Sequence, residues 1–289
     1  MCGIVGLFAK TPKYEGRLGT LLAGMLETMS ERGPDSAGFA VYSGGDDGML
    51  KLTVRPADAE PLPAFAETYA PRRCGSHAVL TVPLDESETV IAALNEAGAA
   101  VVGIGKRMEL YKGIGLPAAV AEEFDLSRMT GTHGLGHTRM ATESAVTTDG
   151  AHPFNTGPDL CLVHNGSLSN HASLRRRLRS EGIAFQTDND SEVAAGYLTW
   201  CLNRGMSLKQ ALDRALEDLD GFFTFVVGTE SGFGVLRDAI ACKPAVMAET
   251  GDLIAFGSEY RALAGLPGID TARVWEPEPA TVYFWERAA

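Results

Sequence analysis

Apolar residues recur at two periods along this chain, and the change of period marks out its elements. Residues 2–9 (CGIVGLFA) form a short apolar run that ends at Lys10-Thr11, the pattern of a buried strand. Leu18, Leu21, Leu22, Met25, Leu26 and Met29 then fall three and four apart. That spacing predicts an amphipathic helix over 18–29, stopped at Gly33-Pro34. AGFAVYS (37–43) and MLKLTVR (49–55) flank Gly44-Gly45-Asp46-Asp47-Gly48 and read as a β-hairpin. Residues 56–63, rich in proline and alanine, predict a loop. Helices over 86–97 and 116–124 and a strand over 99–104 follow, in a stretch whose periodicity is otherwise weak. A strand near 160–164 leads into Asn165-Gly166. Helices are predicted over 170–181, 191–203 and 207–218. Short strands then return at 222–228, 233–237, 244–248, 253–257 and 281–285. Strands, then helices, then strands predict an α+β layered fold with antiparallel sheets.

Composition narrows the partners more than the fold. With 289 residues, 45% hydrophobic and 21% charged, the chain is long enough to bury a large core in one or two domains. The formal net charge of −12 argues against nucleic acid or an anionic membrane surface as a partner. No run is apolar enough to span a membrane, and no basic, then apolar leader opens the chain, so no secretory signal is expected. The five cysteines, Cys2, Cys74, Cys161, Cys201 and Cys242, are dispersed and form no C-x-x-C. Neither a disulfide framework nor a metal site is expected, and a reducing cytoplasm is the natural setting. Cys161 and Cys201 lie in apolar runs and are expected in the core. Arg175, Arg176, Arg177 and Arg179 are expected on the solvated face of their helix.

Candidate chemistry begins at residue 2. If Met1 is removed, Cys2 carries a thiol and a free α-amine on one residue, a nucleophile with its own base. In model compounds these titrate near about 8.5 and about 7.7–8.0, close to the pH where general-base catalysis works best. Alone, Met1-Cys2-Gly3-Ile4 is equally the start of a first strand. More motifs follow: Arg32-Gly33-Pro34-Asp35-Ser36-Ala37-Gly38, Gly136-His137-Thr138-Arg139-Met140-Ala141-Thr142, His152-Pro153-Phe154, Val163-His164-Asn165-Gly166-Ser167 and Asp190-Ser191-Glu192. Arg237-Asp238, Lys243-Pro244 and Gly257-Ser258-Glu259 complete the series.

In this order, the set resembles the class II glutamine amidotransferases, which are N-terminal nucleophile hydrolases. The resemblance implies a four-layer αββα sandwich. It implies one domain over 1–289, with an insert at about 56–130 where the match lapses. It also implies roles. Cys2 attacks the side-chain amide of glutamine. Asn165 (side-chain amide) and Gly166 (backbone N–H) hold the oxyanion. Arg139 binds the α-carboxylate, with Thr142 adding a hydroxyl, and Asp190 binds the α-amine, with Asp188 as runner-up. Arg32 matches an arginine beside the nucleophile. His152 matches the family's His-Pro histidine, for which a structural role and substrate contact both stand, and His137 is expected to be structural. Each has a plainer reading: a type I′ turn for Asn165-Gly166, a surface salt bridge for Arg139, a helix N-cap for either aspartate, a helix C-terminal charge for Arg32. Met140, Glu143 and Ser144 depart from the glucosamine-phosphate synthase branch, which has Trp, His and Gly there.

The chain has no phosphate loop and no iron–sulfur cysteine set, so no cofactor is expected on it. Its carboxylate-arginine run looks most like stand-alone amidotransferase subunits of glutamate synthase-like enzymes such as N-methylglutamate synthase. That implies flavin-bearing partner subunits, with FMN and, as a second candidate, iron–sulfur centres located there. Segment 56–130 is expected to dock such a partner, to cover the glutamine site, or to decorate the fold without a role. Two alternatives stay open: a free-standing γ-glutamyl amidase, and a non-catalytic assembly subunit that keeps Met1.

Overall fold

The first apolar run becomes an interior strand of the larger of two facing sheets. The structure, a computed structural model, describes residues 2–57, 60–141 and 145–287. The first half contains β1 (Gly3–Ala9), α1 (Leu18–Thr28), β2 (Ser36–Tyr42), β3 (Met49–Arg55), β4 (Arg72–Cys74), β5 (His77–Pro83), α2 (Ser87–Glu96), β6 (Ala100–Gly105), β7 (Met108–Ile114), α3 (Pro117–Glu123) and β8 (His133–Arg139). The second contains β9 (Phe154–Gly157), β10 (Leu160–Leu168), α4 (His171–Ser180), α5 (Asp190–Leu202), α6 (Leu208–Asp218), β11 (Gly221–Gly228), β12 (Gly232–Arg237), β13 (Val246–Glu249), β14 (Leu253–Gly257), β15 (Arg273–Trp275) and β16 (Thr281–Glu286).

Every strand pairing is antiparallel. Seven strands run β15-β13-β14-β1-β8-β2-β7, five run β16-β12-β11-β10-β9, and four form a small separate sheet, β4-β5-β3-β6. Three cores separate the layers. Leu7 and Val5 pack under Leu22, Met25 and Leu26 of α1. Ile4 and Phe8 face Val163, Val226 and Phe233 between the two large sheets. Leu162 and Phe225 pack under Val193, Leu198 and Leu212 of the second helical layer. The result is the αββα sandwich expected from the resemblance. β1 and β2 are buried at every position, as strands covered on both faces must be. α5 is buried from Ser191 to Cys201 and has no polar stripe, because strands lie beneath it and α4 and α6 beside it.

Three local expectations fail. β2 and β3 are strands, but they do not form a hairpin. β2 pairs with β7 and β8, whereas β3 pairs with β5 and β6 of the small sheet. The hairpin partner of β2 is β7: Tyr42 lies opposite Met108, and Ser43 N–H donates to the Arg107 carbonyl at 2.9 Å. Residues 44–106 are therefore a long excursion from the tip of a hairpin. Segment 56–130 spans three settings: the small sheet with α2, the edge strand β7, and α3 packed against α1 and β2. Second, Asn165-Gly166 is not a turn. β10 runs through it, with Gly166 opposite Phe223. Gly166 has φ +151°, and a Cβ there would lie 2.0 Å from the Phe222 carbonyl oxygen, so only glycine fits. Third, Arg175 is buried rather than solvated, while Arg176, Arg177 and Arg179 are exposed. β4, β5, β7, β8, β9 and β15 are strands that the pattern alone does not predict. Among the described residues no helix is long and apolar enough to cross a membrane.

Candidate active site

Cys2 enters the site as the residue just ahead of β1, whose Gly3 pairs with Thr138 of β8. Two side chains hold its carbonyl. Arg32 donates from Nε at 3.1 Å, and Asn165 donates from Nδ2 at 3.2 Å. Arg32 ends a 3-10 turn after α1, and its guanidinium also pairs closely with the Glu259 carboxylate. That hydrogen bond holds the Glu259 carboxyl below its ordinary range. Glu259 in turn pairs with Arg261 at 2.7 Å, and Arg261 with Glu31 at 2.8 Å. Ser258 exchanges hydrogen bonds with Ile4: Ile4 N–H donates to Ser258 Oγ, and Ser258 N–H to the Ile4 carbonyl, each at 3.0 Å. The Cys2 backbone is thus fixed by the segment after β14, the segment after α1 and the opposite sheet together.

Beside Cys2 opens a cavity of about 470 Å³, walled by Cys2, Arg139, His152, Asn165, Gly166 and Asp190 among others. Of the residues predicted from sequence, Arg32 stands behind the Cys2 backbone and not on this wall. Thr142, Glu143, Ser144 and Met1 lie outside the described residues. Arg139, at the end of β8, is buried and donates from Nη1 to the Ala145 carbonyl at 3.3 Å. Asp35 anchors the chain leaving it: its N–H donates to the Arg139 carbonyl at 3.1 Å, and its carboxylate accepts the Ala141 N–H at 2.8 Å.

Asp190 is the first residue of α5, and the N-cap is Asn189, whose side chain accepts the Ser191 N–H at 2.9 Å. Neither aspartate caps the helix. Asp190 accepts the Leu168 N–H at 2.9 Å, which ties α5 to the end of β10. The preceding loop is held by two buried charges. Glu192 accepts the N–H groups of Gln186 and Thr187 at 2.7 and 2.8 Å, and the Thr187 hydroxyl at 2.8 Å. Arg175 donates to the carbonyls of Thr187 and Asn189. This is why Arg175 leaves the solvated face of α4. Asp188 also reaches the cavity.

Four of the six histidines line the same cavity. His137 and His152 stack with ring centres 4.0 Å apart, and burial pushes His137 down to about 3 and His152 well below its usual value. His164 shares a 2.8 Å hydrogen bond with Ser191 Oγ; burial lowers it to about 4, against the pull of Asp190. His137, His152 and His164 are therefore neutral at pH 7. Behind them Lys112 is buried, donates to the carbonyls of Asp149 and Ala151 at 3.2 and 3.3 Å, and sits 5.0 Å over Phe154. Burial lowers its ammonium to about 8. Lys112 braces the stretch that delivers His152.

The sequence reading assigned no role to Glu259, Glu192, His164, His171 or Lys112. Glu259, Glu192 and His164 fall inside quoted motifs; His171 and Lys112 have no signal of their own. Among the described residues no group of three or more His, Cys, Asp or Glu side chains is placed to hold a metal ion. A separate cavity of about 560 Å³, at Arg72, Cys74, Glu109 and Glu123, contains none of the predicted site residues.

A cysteine at the head of an interior strand, facing an asparagine amide from the opposing sheet of an αββα sandwich, defines the N-terminal nucleophile hydrolase class. Within that class, the chain belongs to the class II glutamine amidotransferase family. The family profile described as a glutamine amidotransferase domain matches residues 137–265. The glutamine amidotransferase-like protein GlxB of Rhizobium meliloti is 58% identical over 297 residues, covering 99% of this chain and 98% of that protein. A protein of Methanothermobacter thermautotrophicus, whose name also refers to a glutamine amidotransferase, is 32% identical over 310 residues, 99% of this chain and 100% of its own. Among solved structures, the glutamine phosphoribosylpyrophosphate amidotransferase of B. subtilis superposes with a TM-score of 0.65 at 21% identity. It covers 99% of this chain, which spans about half (47%) of that structure's length, and shows the shared fold.

Proposed function

We propose that this chain is the amidotransferase subunit of a multi-subunit, glutamate synthase-like enzyme, such as an N-methylglutamate synthase. In this reading Cys2 hydrolyses the side-chain amide of glutamine, and the ammonia passes to a flavin-bearing partner subunit. The observation that carries the chemistry is the meeting of Cys2, Asn165, Arg139 and Asp190 around one cavity. Arg139 takes the α-carboxylate of glutamine in the planar, two-pronged manner suited to a guanidinium, and Asp190 takes the α-amine. The Cys2 α-amine, freed by loss of Met1, accepts the thiol proton. The sulfur then attacks the amide carbon. Asn165 already spends one N–H on the Cys2 carbonyl; its second N–H and the Gly166 backbone meet the developing oxyanion. The amine returns its proton to the departing ammonia, and water releases glutamate from the thioester. Neutral His137, His152 and His164 add no charge to compete for substrate.

Intact mass and glutamate release, with and without synthase subunits, test this reading. The expected chain lacks Met1 and releases glutamate. Cys2→Ala abolishes glutamine-dependent synthesis and spares ammonia-dependent synthesis. Retention of Met1 together with absence of glutaminase activity overturns the proposal.

A further inference from the structure

Gly257-Ser258-Glu259 has no part in the proposed reaction, yet the structure ties it to Cys2. β14 delivers it alongside β1: Gly257 lies opposite Val5, and Ser258 is hydrogen-bonded to Ile4 at both its N–H and its Oγ. Glu259 follows, and its carboxylate pairs with Arg32 Nη1. Arg32 is the inward member of the pair, its side chain 10% exposed against 32% for Glu259. The guanidinium has little else to hold it. Nε donates to the Cys2 carbonyl at 3.1 Å, and Nη2 is buried without an acceptor among the described residues. Without the carboxylate, the single bond to Cys2 would be left to orient a largely buried cation.

The charges in this chain of contacts also balance. Glu259 pairs with Arg261 at 2.7 Å and Arg261 with Glu31 at 2.8 Å, so two carboxylates stand against two guanidiniums. Withdrawing the Glu259 charge leaves a net positive charge against the Cys2 carbonyl. Within one residue the carbonyl oxygen and Sγ are only about 3–5 Å apart, so that charge also acts on the thiol, where a cation favours the thiolate. The other charged or titratable groups around Cys2 are Asp35, ahead of β2, and, on the cavity wall, Arg139, Asp188, Asp190, Lys243 and the four histidines. Glu259 lies outside the wall that they form.

We propose that Glu259 is a positioning residue for Cys2: it holds the Arg32 guanidinium on the Cys2 carbonyl and offsets the charge that the guanidinium brings there. The value of this to catalysis rests on the Cys2 reading; the effect on the thiol does not.

The test follows the Cys2 thiol itself. The full chain is alkylated with iodoacetamide over a range of pH, and the rate is read at the Cys2 peptide by mass spectrometry, apart from Cys74 and Cys242. Glu259→Gln keeps the shape and an acceptor oxygen but loses the charge, and the midpoint of the rate against pH is expected to fall by about 0.5–1 unit. Glu259→Asp keeps the charge and is expected to leave the midpoint in place. Arg261→Ala takes a cation from the same carboxylate, so the midpoint is expected to rise, by less because Arg261 is 41% exposed. A role in packing alone gives no such pair of opposite shifts. An unmoved midpoint in Glu259→Gln, or shifts of the same sign in Glu259→Gln and Arg261→Ala, overturns the inference. Should Glu259→Gln fail to fold, Arg261→Ala decides, a rise supporting the inference and its absence rejecting it. In glutamate release, the acid limb of kcat/KM against pH is expected to move with the alkylation midpoint while KM for glutamine holds; a changed KM with an unmoved limb rejects the positioning role. If the unmodified chain releases no glutamate, the Cys2 reading fails, and the alkylation midpoints still decide this inference.

Discussion

Asn165 shows how one side chain serves structure and chemistry at once. Its amide holds the Cys2 carbonyl at 3.2 Å from the opposite sheet. In the proposed reaction the same nitrogen faces the oxyanion, so Asn165→Ala is expected to lower kcat for glutamine about 10²–10³-fold, read by glutamate release. His133 supports a prediction about stability. It stacks on Tyr42 with ring centres 4.0 Å apart, and its Nε2 donates to the Thr229 carbonyl at 3.0 Å while Nδ1 accepts from the Thr132 hydroxyl at 2.9 Å. Burial pushes its pKa from 6.5 to about 3. The unfolded chain therefore takes up this proton first as pH falls. The stabilisation is full above about pH 6.5 and is lost as pH drops toward 3. At pH 5 the loss from this ring is on the order of 2 kcal/mol. Urea midpoints of the unmodified chain and His133→Gln at pH 7 and pH 5 check this: the variant is expected to show the smaller difference.

At the scale of elements, the Asp190 end of the cavity depends on how α4 and α5 grip the loop between them. Glu192 is buried and accepts three hydrogen bonds from Gln186 and Thr187. Glu192→Ala leaves those donors without their acceptor and is expected to cost about 3 kcal/mol in urea unfolding. Because the same loop leads into Asp190, the KM for glutamine is expected to rise as well. This dependence was only partly legible. The periodicity of 170–181 and 191–203 predicts both helices, and the motif order points to Asp190. Arg175 sits in a run of arginines that reads as solvated, and nothing local tells that one of them turns inward to two carbonyls. Asn165-Gly166 misleads for a related reason: the pair favours a turn locally, but pairing with β11 on one side keeps it extended, and glycine is kept there by the Phe222 carbonyl. β2 was readable as a strand because every position is apolar or small; its partner was not, because the pairing residues begin again only at Met108.

For the whole molecule, that interrupted hairpin defines a removable part. Ser43 and Arg107 are already hydrogen-bonded neighbours, so an Asn-Gly turn can replace residues 44–106 and close β2 onto β7 directly. The sandwich is expected to fold, with native far-UV circular dichroism but lower stability. The small sheet is tied to the rest: Asp159 accepts the N–H groups of Lys106, Arg107 and Met108, Gln186 donates to the Val101 carbonyl, and Arg55 pairs with Asp149. Deletion of 58–128 instead would take β7 and α3 out of the main body, and loss of partner binding in that variant would report unfolding. Pull-down of synthase subunits by the turn-closed chain asks whether the small sheet is the docking surface. The order of strands in the large sheet has a consequence for synthesis. β1 lies between β8 and β14, which follow it by well over a hundred and well over two hundred residues. A ribosome therefore exposes Cys2 first, but its strand can be seated on both sides only after Gly257 has emerged. Contacts so distant in sequence close slowly, and until they do the nascent chain carries an apolar strand with two open edges. Of the side chains around the cavity, Cys2 is made first and is among the last to be positioned, so production in a cell depends on protection of that nascent strand as much as on the stability of the finished protein.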